Sequence, residues 1–418
     1  MKAVIDKNGI RGKASAPPSK SYTIRGLMCA ALARGDSRII NPLRSDDTQA
    51  AGEVLGQVGA DIHKADDSWQ VKGCFLHQPE RDLFCRDSAA TLRFMTAISS
   101  LIPGRCRLTS GPSLSRRPIK PLLEALAQLG VDCYAGDGSV VVHGGRLKGG
   151  AVEMRGDISS QFISALLLIS PLAEVGATIR LTTPPGSKPY LKMTQDCLKR
   201  FGIEVKATED LRQFDISRQE YKPITYHVEG DWSSASYYLA LGAVLGQVEV
   251  ASLNPESLQG DRIMLNLLQE MGAQVSVSNN SVTVRQSKLK AITADLSDCI
   301  DLLPTMAVLA AVADGRSSFT GISRARLKES NRVMALRNGL EGMGIPVTEE
   351  EDRMTIEGTQ PSGSTIDSFG DHRIAMAFSI LGSVAGNTII KGTECVAKTY
   401  PEFWQAFESL GGKVKLDV

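Results

Sequence analysis

The chain has 418 residues, of which 42% are hydrophobic and 22% are charged. This composition is typical of a globular chain of two or three domains and argues against a disordered or low-complexity protein. Lys and Arg number 47 and Asp and Glu number 46, so no global basic field favours nucleic acid or a membrane surface, and any anion site must be local.

The eight cysteines are scattered, without a C-x-x-C pair or a His at ligand spacing. This pattern argues against structural zinc and a disulfide framework, and it favours thiols in a reducing compartment. The N-terminus has no apolar signal segment, and the apolar runs are too short to cross a bilayer. We therefore expect a soluble cytoplasmic protein.

The first predicted helix follows a pair of prolines. Ser19 or Ser21 can cap this helix, and the apolar run 26–33 forms its body. Lys20 and Arg25 would then lie on or beside the helix N-terminus, where free N–H groups and the helix dipole favour an anion. An anionic ligand is one interpretation of this stretch, and an ordinary surface helix with solvated cations is the other.

One pattern recurs six times, about every 70 residues, which is too long for a solenoid repeat. Two apolar residues three apart precede a glycine, and an apolar residue or Cys follows three positions later. The pattern predicts a helix end with a left-handed glycine cap and then a β-hairpin, as in residues 131–143, 273–285 and 346–356. The six glycines are Gly59, Gly130, Gly202, Gly272, Gly344 and Gly411.

The sixth unit ends after one strand, and its second strand can come from Met1–Asp6. Three units per domain then give one domain with the chain termini, residues 1–13 and 230–418, and an inserted domain, residues 14–229. The chain would cross between them twice. Because ligands favour interdomain clefts, we expect the active site in the cleft between the two domains.

Further motifs follow in chain order. A small-residue turn at 87–93 leads into a helix, and Arg117 with the arginine before it precedes a helix that Pro118 would begin. An anion would relieve the unfavourable placement of these cations at a helix N-terminus. Residues 157–161 form a good helix cap, and residues 187–190 form a loop with hydroxyl groups.

In the second half, Asp301 lies between apolar neighbours, which predicts a raised pKa for its carboxyl group; a helix cap is the alternative. Lys328 and Arg332 are four residues apart and would share one face if this segment is helical. Residues 371–373 and 398–401 complete the series.

In this order and across nearly the whole chain, these motifs resemble those of the 5-enolpyruvylshikimate-3-phosphate synthases. The resemblance implies a mixed α/β (α+β) fold, a two-domain inside-out barrel of six βαβαββ repeats, three per domain. It also implies transfer of the enolpyruvyl group of phosphoenolpyruvate to the 5-hydroxyl group of shikimate 3-phosphate, with release of phosphate, in aromatic amino-acid biosynthesis. The motifs that carry it are Pro17–Ser21 with Arg25, Arg117-Pro118, Ser159–Gln161, Lys328–Ser330 with Arg332, Asp371–Arg373 and Lys398-Thr399.

The resemblance further implies a set of site residues. Shikimate 3-phosphate would be bound by Lys20, Ser21, Arg25, Ser159, Ser160, Gln161, Ser187, Tyr190, Asp301 and Lys328. Phosphoenolpyruvate would be bound by Lys20, Ala89, Arg117, Gln161, Arg332, Arg373 and Lys398. Proton transfers would fall to Asp301, Glu329 and Lys20, with Asp301 the first candidate for the base. No metal, cofactor, nucleic acid or membrane is implied, and we expect a monomer.

The chain departs from the family pattern at several positions. Ala89 and Ala90 stand where most members have Gly and Thr, so an added methyl group would narrow the wall of the phosphoenolpyruvate site. Arg324 replaces a frequent Asn, and Asn331 replaces the Asp expected before Arg332. These changes bear on local contacts more than on the reaction.

Three alternatives remain. The sister enolpyruvyl transferase that acts on UDP-N-acetylglucosamine expects a reactive loop Cys near Arg117, and neither Cys106 nor Cys133 lies in such a loop. An RNA 3′-phosphate cyclase would need an adenylated His, whereas His372 is flanked by charged residues. A non-catalytic binding protein of this fold would be recognised by its failure to release phosphate.

Overall fold

Strands form six four-stranded sheets in residues 1–417, the part of the chain that the computed structural model describes. In chain order the strands are β1 Lys2–Ile5, β2 Ile10–Ser15, β3 Gly35–Ile40, β4 Asp61–Lys64, β5 Ser68–Gly73, β6 Leu83–Phe84, β7 Gly104–Thr109, β8 Asp132–Gly136, β9 Ser139–Gly144, β10 Gly150–Met154, β11 Ala177–Leu181, β12 Lys206–Ala207, β13 Gln213–Ile216, β14 Thr225–His227, β15 Gly246–Ala251, β16 Gln274–Val277, β17 Ser281–Arg285, β18 Thr293–Asp295, β19 Arg316–Thr320, β20 Val347–Glu349, β21 Arg353–Glu357, β22 Thr365–Asp367, β23 Thr388–Lys391 and β24 Val414–Asp417.

Two α-helices accompany each sheet. They are α1 Lys20–Leu32, α2 Asp46–Gln57, α3 Ala89–Ile98, α4 Lys120–Gln128, α5 Ser160–Ile169, α6 Lys188–Arg200, α7 Trp232–Leu245, α8 Met264–Glu270, α9 Leu303–Ala311, α10 Arg332–Gly342, α11 His372–Ala385 and α12 Phe403–Ser409. Short 3₁₀ helices span Ser99–Leu101, Ser170–Leu172, Gly260–Ile263, Ile300–Leu302, Ser323–Leu327 and Thr393–Lys398.

Every sheet has the same construction. In the third repeat, for example, β10 and β11 are parallel, β11 and β13 are antiparallel, and β12 lies beside β13 at the edge. In this repeat one helix follows each of the first two strands, which gives the order βαβαββ. The six pattern glycines all have positive φ, from 82° to 110°, so the predicted left-handed caps are confirmed. The three predicted hairpins are confirmed as β8–β9, β16–β17 and β20–β21.

The N-terminal strand completes the sixth sheet. β1 pairs antiparallel with β23 on one side and with β24 on the other, and it occupies the position that β13 has in the third repeat. The prediction that Met1–Asp6 supplies the missing strand is therefore confirmed.

The chain divides into two compact units, Met1–Pro17 with Glu229–Val418 and Pro18–Val228. The N-terminal segment predicted from the sequence ends at residue 13, which lies inside β2. All of β2 pairs parallel with β15, and the N–H groups of Ala16 and Asp231 donate to the carbonyl oxygens of Ala251 and Pro17. These backbone bonds hold residues 10–17 in the first unit.

Each unit has its own hydrophobic core, built around the first helix of each repeat. These six helices, α1, α3, α5, α7, α9 and α11, are buried along most of their length, as expected for helices that are apolar on all sides. The second helices, such as α6, bury one face and expose basic residues on the other.

No helix within residues 1–417 combines the length and the apolar character needed to span a bilayer. The eight cysteines are free thiols.

Candidate active site

The N-terminus of α1 carries an ion pair in the unit Pro18–Val228. Ser19 Oγ accepts a hydrogen bond from Tyr22 N at 3.5 Å, so Ser19 is the cap of the two serines considered. Lys20 Nζ lies 2.9 Å from Asp47 Oδ2, and the two side chains are 20% and 3% exposed. Asp47, which the sequence analysis did not select, therefore holds the Lys20 ammonium group at the helix terminus.

Arg25 lies one turn further along α1 and is buried. Its Nε donates to Thr194 Oγ1 at 2.8 Å, and its Nη2 donates to the carbonyl oxygen of Tyr190 at 3.3 Å. Its Nη1 donates to the carbonyl oxygen of Ser21 at 3.1 Å. Burial lowers the pKa of Arg25. These bonds join the predicted residues of α1 to the start of α6.

The N-terminus of α5 holds three of the predicted residues. Ser159 caps the helix by accepting from Gln161 N at 3.3 Å, and Ser160 begins it. Arg93, on α3, donates to Gln161 Oε1 at 2.6 Å, and its guanidinium group lies over the Phe162 ring. Arg93 thus fixes the direction of the Gln161 side chain.

Three further predicted positions of this unit lie at helix starts. Ala89 is the first residue of α3, and Ser187, in the left-handed conformation with φ of 54°, precedes α6. Arg117 lies in the turn before α4. The sequence predicts that α4 begins at Pro118, but Ile119 is still non-helical, with φ of −131°, and the helix begins at Lys120.

Arg332 is the centre of the charged cluster in the other unit. Its Nη1 lies 2.7 Å from Asp301 Oδ1, its Nη2 lies 2.6 Å from Glu329 Oε2, and its Nε lies 2.8 Å from Asp371 Oδ2. The side chain is 1% exposed. Burial alone would lower the pKa of Arg332, but the three carboxylates outweigh it and raise this pKa.

Asp301 faces three cations, which corrects the expectation of a raised pKa. Arg332 and Lys328 approach its Oδ1 at 2.7 and 3.3 Å, and Arg373 Nη2 lies 3.5 Å from its Oδ2. Burial raises the pKa of Asp301, as the apolar neighbours suggested, but Arg373, Lys328 and Arg332 together lower it well below 3.8. The carboxylate is therefore ionised at neutral pH.

Lys328 and Arg332 both contact Asp301, although they do not lie on the same helix. A 3₁₀ helix ends at Leu327, Lys328 is extended, and α10 begins only at Arg332, with Asn331 as its cap. The segment between Leu327 and Arg332 is therefore not helical, and the condition for a shared helical face is not met. Asn331 accepts from Met334 N at 3.1 Å, the hydrogen bond that the expected Asp could also accept.

Arg373 lies in the first turn of α11, beside a polar network. Asp371 caps this helix and accepts from the Arg373 N–H at 3.0 Å. The Arg373 side chain donates to Ser233 Oγ, and its Nη1 lies 3.5 Å from Tyr237 Oη, both on α7. Lys398 is the last residue of the 3₁₀ helix Thr393–Lys398 in the same unit.

The sequence motifs missed several polar groups that these contacts reveal, namely Asp47, Arg93, Thr194, Ser233, Tyr237 and Asp261. Arg93 closes one of the motif stretches, which is the only signal that could have selected it. Within residues 1–417, no group of three or more His, Cys, Asp or Glu side chains is arranged to hold a metal ion.

The arrangement can perform two kinds of chemistry. Lysine and arginine side chains at helix N-termini bind phosphate and carboxylate groups. A carboxylate such as Asp301, held ionised beside them, can accept a proton from a bound hydroxyl group.

Comparison with known proteins gives a consistent result. The chain matches the family described as EPSP synthase (3-phosphoshikimate 1-carboxyvinyltransferase) over residues 5–407. A 3-phosphoshikimate 1-carboxyvinyltransferase of Dehalococcoides mccartyi is 51% identical over 420 residues and covers 100% of both chains. Another, of Methanocaldococcus jannaschii, is 39% identical over 418 residues, with 97% of each chain covered.

Solved structures show the same fold. EPSP synthase from Acinetobacter baumannii has a TM-score of 0.84 at 26% identity and covers 100% of both chains. The enolpyruvyl transferase NikO from Streptomyces tendae, at 19% identity, shows the fold alone, with a TM-score of 0.81 over 99% of this chain and 98% of its own. The predicted fold class, a two-domain inside-out barrel, is confirmed. The chain therefore belongs to the EPSP synthase (3-phosphoshikimate 1-carboxyvinyltransferase) family.

Proposed function

We propose that this chain transfers the enolpyruvyl group of phosphoenolpyruvate to the 5-hydroxyl group of shikimate 3-phosphate, a step of aromatic amino-acid biosynthesis. The products are 5-enolpyruvylshikimate 3-phosphate and phosphate. Membership of the family makes the chain a transferase. The observation that carries the proposal is the Asp301 carboxylate, held ionised among Arg332, Lys328 and Arg373.

The charges of the substrates match the cations of the chain. Two phosphate and two carboxylate groups require several lysine and arginine side chains, and helix N-termini favour the same anions. The residues proposed to bind shikimate 3-phosphate are Lys20, Ser21, Arg25, Ser159, Ser160, Gln161, Ser187, Tyr190, Asp301 and Lys328. Those proposed to bind phosphoenolpyruvate are Lys20, Ala89, Arg117, Gln161, Arg332, Arg373 and Lys398.

Asp301 acts as the base that takes the 5-hydroxyl proton while the hydroxyl oxygen attacks C2 of phosphoenolpyruvate. A bound anion neutralises part of the positive charge on Arg373 and Lys328, so the pKa of Asp301 rises and its carboxylate becomes a stronger base. Glu329 and Lys20 are the candidates for protonation of C3. The tetrahedral intermediate then loses phosphate and a C3 proton, and Arg117, Arg332 and Lys398 stabilise the departing phosphate.

The protein is expected to release inorganic phosphate from a mixture of phosphoenolpyruvate and shikimate 3-phosphate. Phosphate is measured with both substrates and with each substrate alone. Release only when both are present supports the transfer. Absence of release from the wild-type protein with both substrates refutes the proposed function and leaves the non-catalytic binding protein as the interpretation.

The Ala89→Gly variant is expected to bind the family's phosphonate inhibitor glyphosate about tenfold more tightly relative to phosphoenolpyruvate, since one methyl group in a pocket is worth roughly 10–200-fold. The reason is the added methyl group at the start of α3. The measurement is the ratio of the inhibition constant to KM. Ala90→Gly, in the same helical turn, is the control. An unchanged ratio in Ala89→Gly contradicts the prediction.

We further propose that the enzyme is a cytoplasmic monomer. The free state of all eight cysteines supports a reducing compartment. Size-exclusion chromatography with light scattering tests the monomer, whose mass is 44.9 kDa.

A further inference from the structure

A fourth carboxylate lies at the Asp301–Arg373 pair and is used by neither the motifs nor the mechanism above. Asp261 belongs to the 3₁₀ helix Gly260–Ile263, in the same unit, and is 3% exposed. Its Oδ1 is buried and has no hydrogen-bond partner within residues 1–417. A buried carboxyl oxygen without a partner is costly unless the group carries a proton or a function.

A hydroxyl group connects Asp261 to Arg373. Ser233 Oγ accepts from Arg373 Nη1, and the same hydroxyl group is close enough to the Asp261 carboxyl group to lower its pKa. A serine hydroxyl has one proton to donate. When Ser233 donates that proton to Asp261, its lone pairs remain for the guanidinium group, so Asp261 sets the orientation of the contact that holds Arg373.

The charges around Asp261 are mostly negative. Asp301 and Asp231 face it, the Cys299 thiol lies near it, and Arg373 is the cation. Burial raises the pKa of Asp261 to about 7, Asp301 adds to this rise, and Arg373 opposes it. The group therefore changes its charge within the physiological pH range, directly beside a proposed anion-binding arginine.

We propose that Asp261 is a positioning residue for Arg373 and that the protonation state of its carboxyl group sets the affinity for phosphoenolpyruvate. This inference rests on the proposed function. With a proton on Asp261, Arg373 keeps its charge for the substrate anion. Without the proton, Asp261 and Asp301 together offset that charge and weaken binding. By linkage, binding of an anion must favour the protonated form, so the protein takes up a proton as the anion binds.

The first test is the dissociation constant of phosphoenolpyruvate, measured by calorimetry as the pH is raised from about 6.5 to about 8.5. We expect wild-type affinity to fall about tenfold over this range, because one unit of pKa difference corresponds to a factor of about ten. Asp261→Asn, which is isosteric and cannot ionise, should lose less than about threefold by the same relation. Ser233→Ala should weaken binding at every pH yet keep the wild-type slope.

A matched control is Asp314→Asn, since Asp314 is a 70% exposed carboxylate of the same unit. It should keep both the affinity and the pH slope of the wild-type protein. An Asp261→Asn variant with the wild-type slope overturns the inference, as does a uniform loss of affinity at all pH values, which indicates a merely structural role.

Thermal stability gives a second readout that needs no ligand. A carboxyl group with a raised pKa binds its proton more tightly in the folded state, so its contribution to stability falls as the pH rises from about 4 through about 7 and is constant above. The melting temperature of Asp261→Asn should therefore rise relative to that of the wild-type protein as the pH is raised from about 4 to about 7. A difference that does not change with pH contradicts the inference.

A third measurement uses the wild-type protein alone. Sulfate remains a dianion across this pH range. Any protons taken up when sulfate binds are therefore bound by the protein and not by the ligand. Calorimetry in two buffers of different ionisation enthalpy should show net proton uptake near pH 7, and no uptake overturns the inference. The binding measurements do not require catalysis. Absence of phosphate release from the wild-type protein would therefore refute the proposed function without deciding the role of Asp261.

Discussion

Replacing Asp301 with asparagine is expected to lower kcat for phosphate release by about 10³-fold, since a positioned acid or base contributes roughly 10²–10⁴-fold. Asparagine has nearly the same shape and can still accept a hydrogen bond from Arg332 at the position of Oδ1, which lies 2.7 Å away. It cannot take a proton from the 5-hydroxyl group. The loss should therefore appear in kcat.

KM for phosphoenolpyruvate should not rise in the same variant, because removal of a negative charge leaves Arg332, Lys328 and Arg373 with more positive charge for the substrate anions. Asp314→Asn, at the exposed carboxylate, is the control for removing a carboxylate from this unit. Initial rates of phosphate release over both substrates separate kcat from KM. If Asp301→Asn keeps kcat within about threefold of the wild-type value, Asp301 is not the base.

Replacing Arg332 with methionine is expected to lower the free energy of unfolding by about 3–5 kcal/mol, the usual cost of removing one partner from a buried ion pair. Arg332 is 1% exposed and contacts three carboxylates, of which Asp371 is fully buried. Without the guanidinium group, Asp371, Glu329 and Asp301 remain together with like charge. Arg332→Lys should recover only part of the loss, because an ammonium group cannot donate to all three in the same geometry.

Arg337 offers a matched control on the same helix. It pairs with Glu349 at 3.0 Å but is 39% exposed, so Arg337→Met should cost less than about 1 kcal/mol, as for exposed ion pairs. Denaturant unfolding of the variants gives the comparison. Adding Asp371→Asn to Arg332→Met should restore part of the stability by removing one unpaired charge. Equal losses in Arg332→Met and Arg337→Met would contradict the importance assigned to burial.

Local patterns predicted the repeats and their hairpins well. A helix end with a glycine cap depends on neighbours a few residues away, and the left-handed conformation of Gly130 and Gly272 requires only local geometry. Ser19 was one of two serines predicted as the cap of α1, and the strand Met1–Asp6 was inferred from the truncation of the sixth repeat. The motifs also indicated the residues that gather at helix N-termini.

The features that could not be predicted from the sequence depend on contacts between residues far apart in the chain. The apolar neighbours of Asp301 correctly indicated burial, but Arg332, which reverses the direction of the pKa shift, is 31 residues away. Asp261 lies in a short 3₁₀ helix with no motif, and only the fold brings it to Ser233 and Arg373. The strand pairing of β2 likewise moved the end of the N-terminal segment from residue 13 to Pro17.

The place of the first two strands bears on how the chain folds during synthesis. The unit Pro18–Val228 is one continuous segment, so it can complete its three sheets as soon as β14 has left the ribosome. β1, although made first, finds its partners only in β23 and β24, and β2 waits for β15. The strand translated first can therefore pair only after the last repeat has been made, when the continuous unit is already complete.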